Sequence, residues 1–146
     1  MTLENWVNNG WLRHHKTSPE EIKNLLLIVE RDVSDANKKN LSIDWRFGIA
    51  YNAALKLCTI LLYAEGYRPE RDHAHYHTIQ ILPVILGTEK NKDATYLNTC
   101  RIKRNQLEYN YIGGVTEADT EELIQFVTEL RIEVKNWLKK NHRNLI

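Results

Sequence analysis

The segment RNQLEYNY, residues 104–111, places a basic residue and an amide ahead of a carboxylate and two tyrosines. Arg101 and Lys103 precede it, so the local charge is positive, with Glu108 as the opposing acid. A guanidinium can hold a phosphate group, and an aromatic ring can stack on a nucleobase. The residue types therefore predict a nucleic-acid site, and the polar side of an ordinary helix is the alternative that they leave open.

Helical geometry groups these residues in two sets. At about 100° per residue, Arg104 and Tyr111 lie near one side of a helix, and Asn105 and Tyr109 lie on another. Under the polar-face alternative, Arg104 forms a salt bridge and the tyrosines are half buried. The spacing alone does not decide between the two interpretations.

The histidines of HAHYH are the other residues that could do chemistry. On a helix His73 and His77 share a face at four-residue spacing, whereas His75 points away. A structural metal site needs about four ligands, and no HExxH or CxxC spacing supplies the others. The sequence therefore predicts no metal and no cofactor, and a metal site built on His73 and His77 stays a minor alternative.

Two further kinds of active site lack their sequence signals. The segment YIGGV is not a phosphate-binding loop, because no Lys-Ser/Thr pair follows it. Cys58 and Cys100 lie in apolar helical patterns, where a free thiol behaves as a small core hydrophobe. We therefore expect both cysteines to be reduced and structural.

Composition restricts the class of protein. The 146 residues are 42% hydrophobic, which is typical of one globular domain, predicted here to span residues 1–146. Twenty Lys and Arg against nineteen Asp and Glu give a formal charge of +1, so any nucleic-acid contact must be local. The N-terminus lacks a basic run followed by an apolar block, and the hydrophobic stretches are short or interrupted. These features predict a cytoplasmic protein without a membrane contact.

Helix signals recur along the chain. Ser18 before Pro19, Ser42 before Asp44, and Thr116 before two acidic residues are all start signals. They predict helices from each of these caps, and the middle one, running to Gly66, is apolar on nearly every side and is expected at the centre of the fold. A short helix around residues 3–9 is also expected.

The remaining segments complete an all-α prediction. Pro83 must kink or shorten a helix that starts near HAHYH, Asp93 can cap a helix from Ala94 to Tyr111, and the basic tail KKNHRNLI is expected to fray. No alternating strand pattern is present. The predicted fold is an up-and-down bundle of four to five helices.

Three segments in this helix order carry a resemblance. They are YNAALKLCTILLYAEGYRP, HAHYHTI and RNQLEYNY, followed by a last amphipathic helix. Over residues 42–140 the chain resembles the HEPN superfamily of small helical domains. The resemblance implies a helical bundle that often dimerises. It also implies a metal-independent endoribonuclease motif, an Arg followed after four to six residues by a His.

Carried over to this chain, the resemblance assigns Arg104 as the motif Arg and Asn105 as its polar neighbour. Tyr111 matches an additional Tyr of one branch, and Tyr109 stands where the His belongs. A Tyr has an unperturbed pKa near 10 against about 6.5 for His, so it is a poor proton acceptor at neutral pH. The implied catalytic residues are Arg104, which would stabilise charge on the phosphate, and Tyr109. The residues expected to bind nucleic acid are Arg104, Asn105 and Tyr111 from the resemblance, together with Arg101 and Lys103 from their positive charge.

The predicted function follows from these assignments. We expect a homodimeric protein that binds RNA or a nucleotide and cleaves RNA weakly without metal, in toxin-antitoxin or defence biology. An antitoxin or a nucleotidyltransferase is the expected protein partner. The alternative is a non-catalytic helical interaction module that docks a protein through Trp6, Trp11 and the surface of the last helix.

Overall fold

The computed structural model describes residues 1–109 and 114–146, and for Glu108 and Tyr109 it describes the backbone only. Over these residues the chain is an all-α helical bundle, as predicted. The helices are α1 Leu3–Asn8, α2 Pro19–Ala36, α3 Ile43–Ala64, α4 Ala74–Gln80, α5 Leu82–Leu86, α6 Asn91–Tyr109 and α7 Glu117–Asn141. The described chain also contains the strands β1 Leu12–His14 and β2 Tyr67–Pro69, and the 3-10 turns Thr88–Lys90 and Arg143–Leu145.

The N-termini of α2, α3 and α7 are capped by the residues that the sequence indicated. Ser18, Ser42 and Thr116 each accept a hydrogen bond from the backbone N–H three residues further on, at 3.0–3.2 Å. Each bond satisfies one of the amide groups that have no partner inside the helix. The signals that begin these three helices therefore lie within a few residues of one another, and the sequence predictions of the helix starts are confirmed.

Helix α3 is the central element of the bundle. It packs mainly against α2 and α7 and also contacts α4 and α6. Among the described helices it alone has the length and apolar composition to cross a membrane, but 67% of its most apolar window is buried inside the protein. Its fully buried residues, which cover more than half of the helix circumference, are Phe47, Ala50, Ala53, Ala54, Leu57, Cys58, Ile60, Leu61 and Leu62.

Pro83 divides the helical segment that follows β2, as predicted. Helix α4 ends at Gln80, and α5 begins at Leu82 with the proline in its first turn. Proline has no amide hydrogen and its ring clashes with the carbonyl four residues earlier, so one continuous helix cannot pass through this position. The two short helices lie end to end beside α6.

The strands β1 and β2 are a small addition to the all-α fold that the sequence pattern did not indicate. They pair antiparallel, with Leu12 opposite Pro69 and His14 opposite Tyr67. Each strand is only three residues long, which is too short for a detectable alternation of apolar and polar residues. Their pairing depends on contacts between distant parts of the chain and was not readable from either segment alone.

The start of α6 and the end of the chain also differ from the predictions. Helix α6 starts at Asn91 instead of Ala94, so Asp93 lies in its first turn and is not the cap. The 3-10 turn before it is held by Lys90 Nζ, which lies 2.7 Å from a Glu133 carboxylate oxygen on α7. The C-terminal tail is not frayed, because α7 continues to Asn141 and the turn after it buries Leu145.

Candidate nucleic-acid interface

The rotation of α6 is fixed by its apolar stripe. Ala94, Leu97 and Cys100 are at most 2% exposed and face the bundle core. Arg101 and Arg104 follow Cys100 by one and four residues and are partly buried at the edge of this stripe. Both guanidinium groups therefore lie at the junction between α6 and its neighbouring helices.

Arg104 lies over a tyrosine of the central helix. Its guanidinium carbon is 5.8 Å from the centroid of the Tyr51 ring, a distance at which a cation is attracted to the ring face. Tyr51 is 2% exposed, so the ring is a fixed support for the arginine. The sequence identified Arg104, but it gave no sign that Tyr51 would lie beneath it.

The Tyr51 hydroxyl is a buried polar group. Among the described residues it has no hydrogen-bond partner. Burial raises the pKa of Tyr51 well above its usual value, and the nearby charges of Arg101 and Arg104 only partly oppose this effect. Tyr51 is therefore a neutral phenol at physiological pH, able to donate a hydrogen bond but not to act as a base.

Arg101 lies on the same side of α6 as Arg104 but contacts α4. Its Nε donates a hydrogen bond to Asn98 Oδ1 at 2.9 Å, and its guanidinium carbon is 5.7 Å from the Tyr76 ring centroid. Tyr76 is 39% exposed, so this pair is at the surface. The structure thus brings Arg101 and Arg104 together as two neighbouring cations.

Lys103 lies apart from these two arginines. Its Nζ is 3.6 Å from Asp119 Oδ2, at the start of α7. The three cations of the predicted set therefore do not form one patch. Asn105 is partly buried on α6. Tyr109 is the last residue of α6, and its side chain, like all of Tyr111, lies outside the described residues.

A cleft of about 550 Å³ opens beside Arg104, between α2, α3 and α6. Its walls combine the Arg31 and Arg104 guanidinium groups with the Asp32 and Asp44 carboxylates and with apolar side chains. Trp45 also lines the cleft, and its side chain is 65% exposed. Clefts of this size, apolar with a few convergent polar groups, are the usual form of small-molecule sites.

A buried carboxylate organises the floor of this cleft. Asp32 is only 4% exposed, and its Oδ1 accepts hydrogen bonds from Nε of the adjacent Arg31 and lies 3.0 Å from a terminal guanidinium nitrogen. Its Oδ2 accepts a hydrogen bond from Asn52 Nδ2 at 2.6 Å. Sequence reasoning missed Arg31, Trp45 and Asn52, because only the packing of α2 on α3 places them at one cleft.

Both thiols are unsuited to nucleophilic chemistry. Cys58 and Cys100 are free and buried, which confirms the structural role expected for them. Burial raises the pKa of Cys58 to about 12 and that of Cys100 to about 11. Because the thiolate is the reactive form, neither residue is a nucleophile at neutral pH.

Of the HAHYH histidines, His77 belongs to an aromatic cluster with the N-terminal tryptophans. The His77 ring stacks on Trp11 with centroids 5.0 Å apart, and Trp6 meets Trp11 edge to face at 5.3 Å. His73 precedes α4 in the left-handed conformation, with φ of 57°. In residues 1–109 and 114–146, no three His, Cys, Asp or Glu side chains lie close enough together to hold a metal ion.

Comparisons with family models, with curated proteins and with solved structures find no match to this chain.

Proposed function

We propose that this protein binds RNA or a nucleotide in the cleft between α2, α3 and α6, with Arg104 as the residue that holds a phosphate group. The observation that carries the proposal is the position of Arg104. Its partly buried guanidinium is supported by the Tyr51 ring and lines the cleft, whereas Arg31 is paired with Asp32. A supported guanidinium at a concave site suits a phosphate, because arginine offers several donors in a fixed planar geometry.

The neighbourhood of Arg104 also supports the proposal. Arg101 lies on the same side of α6, so a phosphodiester chain that leaves the cleft along α6 would meet a second positive charge. Tyr76, which lies beside Arg101, and Trp45, which lines the cleft with Arg104, both present exposed aromatic rings. Aromatic rings interleaved with cations are the usual composition of single-strand-binding surfaces.

The proposal also includes a cleavage activity, which rests on the resemblance to the HEPN superfamily. Arg104 would stabilise charge on the phosphate, and Tyr109 would stand in place of the family's His. Because a tyrosine is a poor proton acceptor at neutral pH, we expect slow, metal-independent cleavage that is weaker than binding. The same resemblance supports a homodimer in a toxin-antitoxin or defence system, with an antitoxin or nucleotidyltransferase as partner. A cytoplasmic location is proposed from the sequence pattern.

The test is a comparison of wild type and Arg104→Ala on fluorescently labelled RNA in EDTA. Removing the phosphate contact should weaken binding at least about tenfold, because a hydrogen bond to a charged group contributes about 1.5–3 kcal/mol. Arg143→Ala is the matched control, since it removes the same charge from the exposed C-terminal turn. If both variants bind RNA as wild type does, Arg104 does not hold the phosphate.

A second candidate, the helical interaction module, has one supporting observation. Ile132 on α7 and Leu27 on α2 are 55% and 57% exposed, so each offers apolar surface to a partner. Trp6, in contrast, is only 6% exposed and packs on Trp11 and His77, so it offers little surface to a partner. Apolar docking should be nearly independent of salt, whereas phosphate binding weakens measurably as salt is added, so a salt titration separates the two candidates.

A further inference from the structure

The side of α3 that faces the cleft carries an aromatic, an apolar and an amide side chain in line. Trp45, Ile49 and Asn52 lie four and three residues apart, which places them on one side of the helix over two turns. All three line the cleft together with Arg104. The cleft therefore offers a flat ring and a hydrogen-bonding group next to a phosphate-binding residue.

Trp45 is the most exposed large aromatic side chain that the structure describes. Its exposure of 65% contrasts with Trp6, which is 6% exposed. Tryptophan in a helical bundle normally buries most of its surface, because burial of apolar area is favourable. A ring left uncovered at the mouth of a cleft is available to stack on a planar ligand.

Asn52 is held in one orientation by the buried carboxylate. Its Nδ2 donates to Asp32 Oδ2 at 2.6 Å, and because an ionised carboxylate only accepts hydrogen bonds, the amide nitrogen must face Asp32. Arg31 balances the charge of Asp32 from the other side. An asparagine amide has a carbonyl oxygen and a second N–H besides the one that Asp32 takes. That combination matches a nucleobase edge, where a donor stands beside an acceptor.

We infer that the cleft contains a nucleobase subsite, in which Trp45 stacks on the base, Asn52 hydrogen-bonds its edge and Arg104 binds the attached phosphate. Asp32 and Arg31 act as positioning residues for the Asn52 amide. This inference rests on the proposed function and extends it, because phosphate binding alone would require neither an exposed ring nor an oriented amide. The ligand is thus an unstacked nucleotide unit, free or within a strand.

The experiment compares two probes, a short labelled single-stranded RNA and a ribose-phosphate strand of the same length with abasic positions throughout. Wild type should bind the intact RNA about five- to a hundredfold more tightly than the abasic strand, since one stacked base contributes this much. Trp45→Ala should remove most of that difference and leave binding of the abasic strand unchanged. Ile132→Ala, which truncates an exposed apolar residue of α7, is the control and should preserve the difference.

Tryptophan fluorescence gives an independent readout. Intact RNA should quench the emission of wild type, and Trp45→Phe should lose this quenching while its affinity stays within about threefold, because phenylalanine can also stack. Both substitutions are at an exposed position, so the bundle core is not disturbed.

The outcomes separate the inference from the function on which it rests. If Arg104→Ala weakens binding of both probes but Trp45→Ala leaves the preference for intact RNA unchanged, the base subsite is overturned and the phosphate site stands. Equal affinity of wild type for the two probes would likewise overturn the subsite. If wild type binds neither probe, the proposed function fails together with the inference.

Discussion

His77 is a buried titratable residue in the aromatic cluster with Trp6 and Trp11. It is 8% exposed and is surrounded by the rings of Trp6, Trp11 and Tyr76. Burial lowers the pKa of His77 below its usual value of about 6.5, and His73 acts in the same direction. The histidine that resembled a metal ligand in the sequence is thus a neutral packing residue at physiological pH.

This environment predicts that one residue, His77, makes the stability of the protein depend on pH. Because the pKa of His77 is lower in the folded chain, the unfolded chain binds more protons as the pH falls through about 6.5. The contribution of neutral His77 to the free energy of unfolding should be fully present above that pH. It should decrease on acidification until the pH lies below the lowered pKa. His77→Gln should reduce the loss of unfolding free energy between about pH 7.5 and 5.5.

Urea denaturation at several pH values measures this effect. His14→Asn is the control, because the His14 side chain is 67% exposed and pairs with Glu4 at the surface. The carboxyl groups with shifted pKa values, Glu4, Glu21, Glu30, Asp119 and Glu121, titrate below this window because all their pKa values are lowered. An identical pH dependence in wild type and His77→Gln would contradict the prediction.

At the scale of elements, Arg46 connects three helices. It is 2% exposed on α3, and its Nε donates to the backbone carbonyl of Ala36 at the end of α2 at 2.7 Å. A terminal nitrogen donates to Glu121 on α7 at 2.9 Å. The guanidinium therefore satisfies a carbonyl that α2 itself leaves without a helical partner, and it fixes α2 and α7 on the central helix.

Arg46→Ala should lower the free energy of unfolding by about 1–3 kcal/mol, because it leaves the buried Ala36 carbonyl without its donor. Lys39→Ala is a matched control, since Lys39 contacts the same Glu121 oxygen at 2.6 Å but its side chain is 65% exposed. An exposed pair of this kind contributes at most about 1 kcal/mol. Urea denaturation of both variants would show similar losses if Arg46 had no special role.

Two glycines, one inside the central helix and one just after its end, give a second prediction at this scale. Gly66 follows α3 with φ of 96°, the left-handed conformation that ends many helices. Gly48 lies inside α3, and a Cβ added there would meet nothing within 4 Å. The two positions differ in backbone conformation and not in available space, because a Cβ at Gly66 would meet its nearest atom at 3.9 Å.

Alanine substitution should therefore have opposite effects at the two sites. Gly66→Ala should destabilise the protein by about 1–2 kcal/mol, since an L residue is strained at positive φ. Gly48→Ala should stabilise it by about 0.5–1 kcal/mol, because glycine is the poorer helix former. Thermal unfolding monitored by circular dichroism measures both, and a destabilisation of equal size in both variants would exclude this explanation.

At the scale of the whole molecule, the net charge determines how strongly the protein attracts a polyanion such as RNA. The formal charge is only +1, and many of the basic side chains are paired with acids, as Lys90 is with Glu133 and Arg131 with Glu30. No broad positive field is expected to draw RNA to the surface. The attraction should come from the few cations near the cleft.

This distribution predicts a shallow salt dependence of RNA binding. With two phosphates neutralised, at Arg104 and Arg101, the slope of log K against log salt should be about −1.4 for a single strand. Arg104→Ala should reduce its magnitude by about 0.7. Fluorescence anisotropy at increasing potassium chloride measures the slope, and a value steeper than about −4 would indicate an extended basic surface instead.

The sequence by itself determined the features that depend on a few neighbouring residues. Ser18, Ser42 and Thr116 mark helix starts because each side chain bonds an amide three residues away. Pro83 marks a break because it lacks an amide hydrogen. The apolar composition of α3 likewise indicated its central position. These signals act within one turn of helix, so they could be predicted before the fold was known.

Only the tertiary structure decided what lies around Arg104. Its support by Tyr51, the cleft shared with Trp45, and the hydrogen bond from Asn52 to Asp32 join residues that are far apart in the chain. Such contacts depend on the rotation and packing of α2, α3 and α6. The same reason explains the missed pairing of β1 with β2, because distant segments meet only after the helices have packed together, and neither segment encodes its partner.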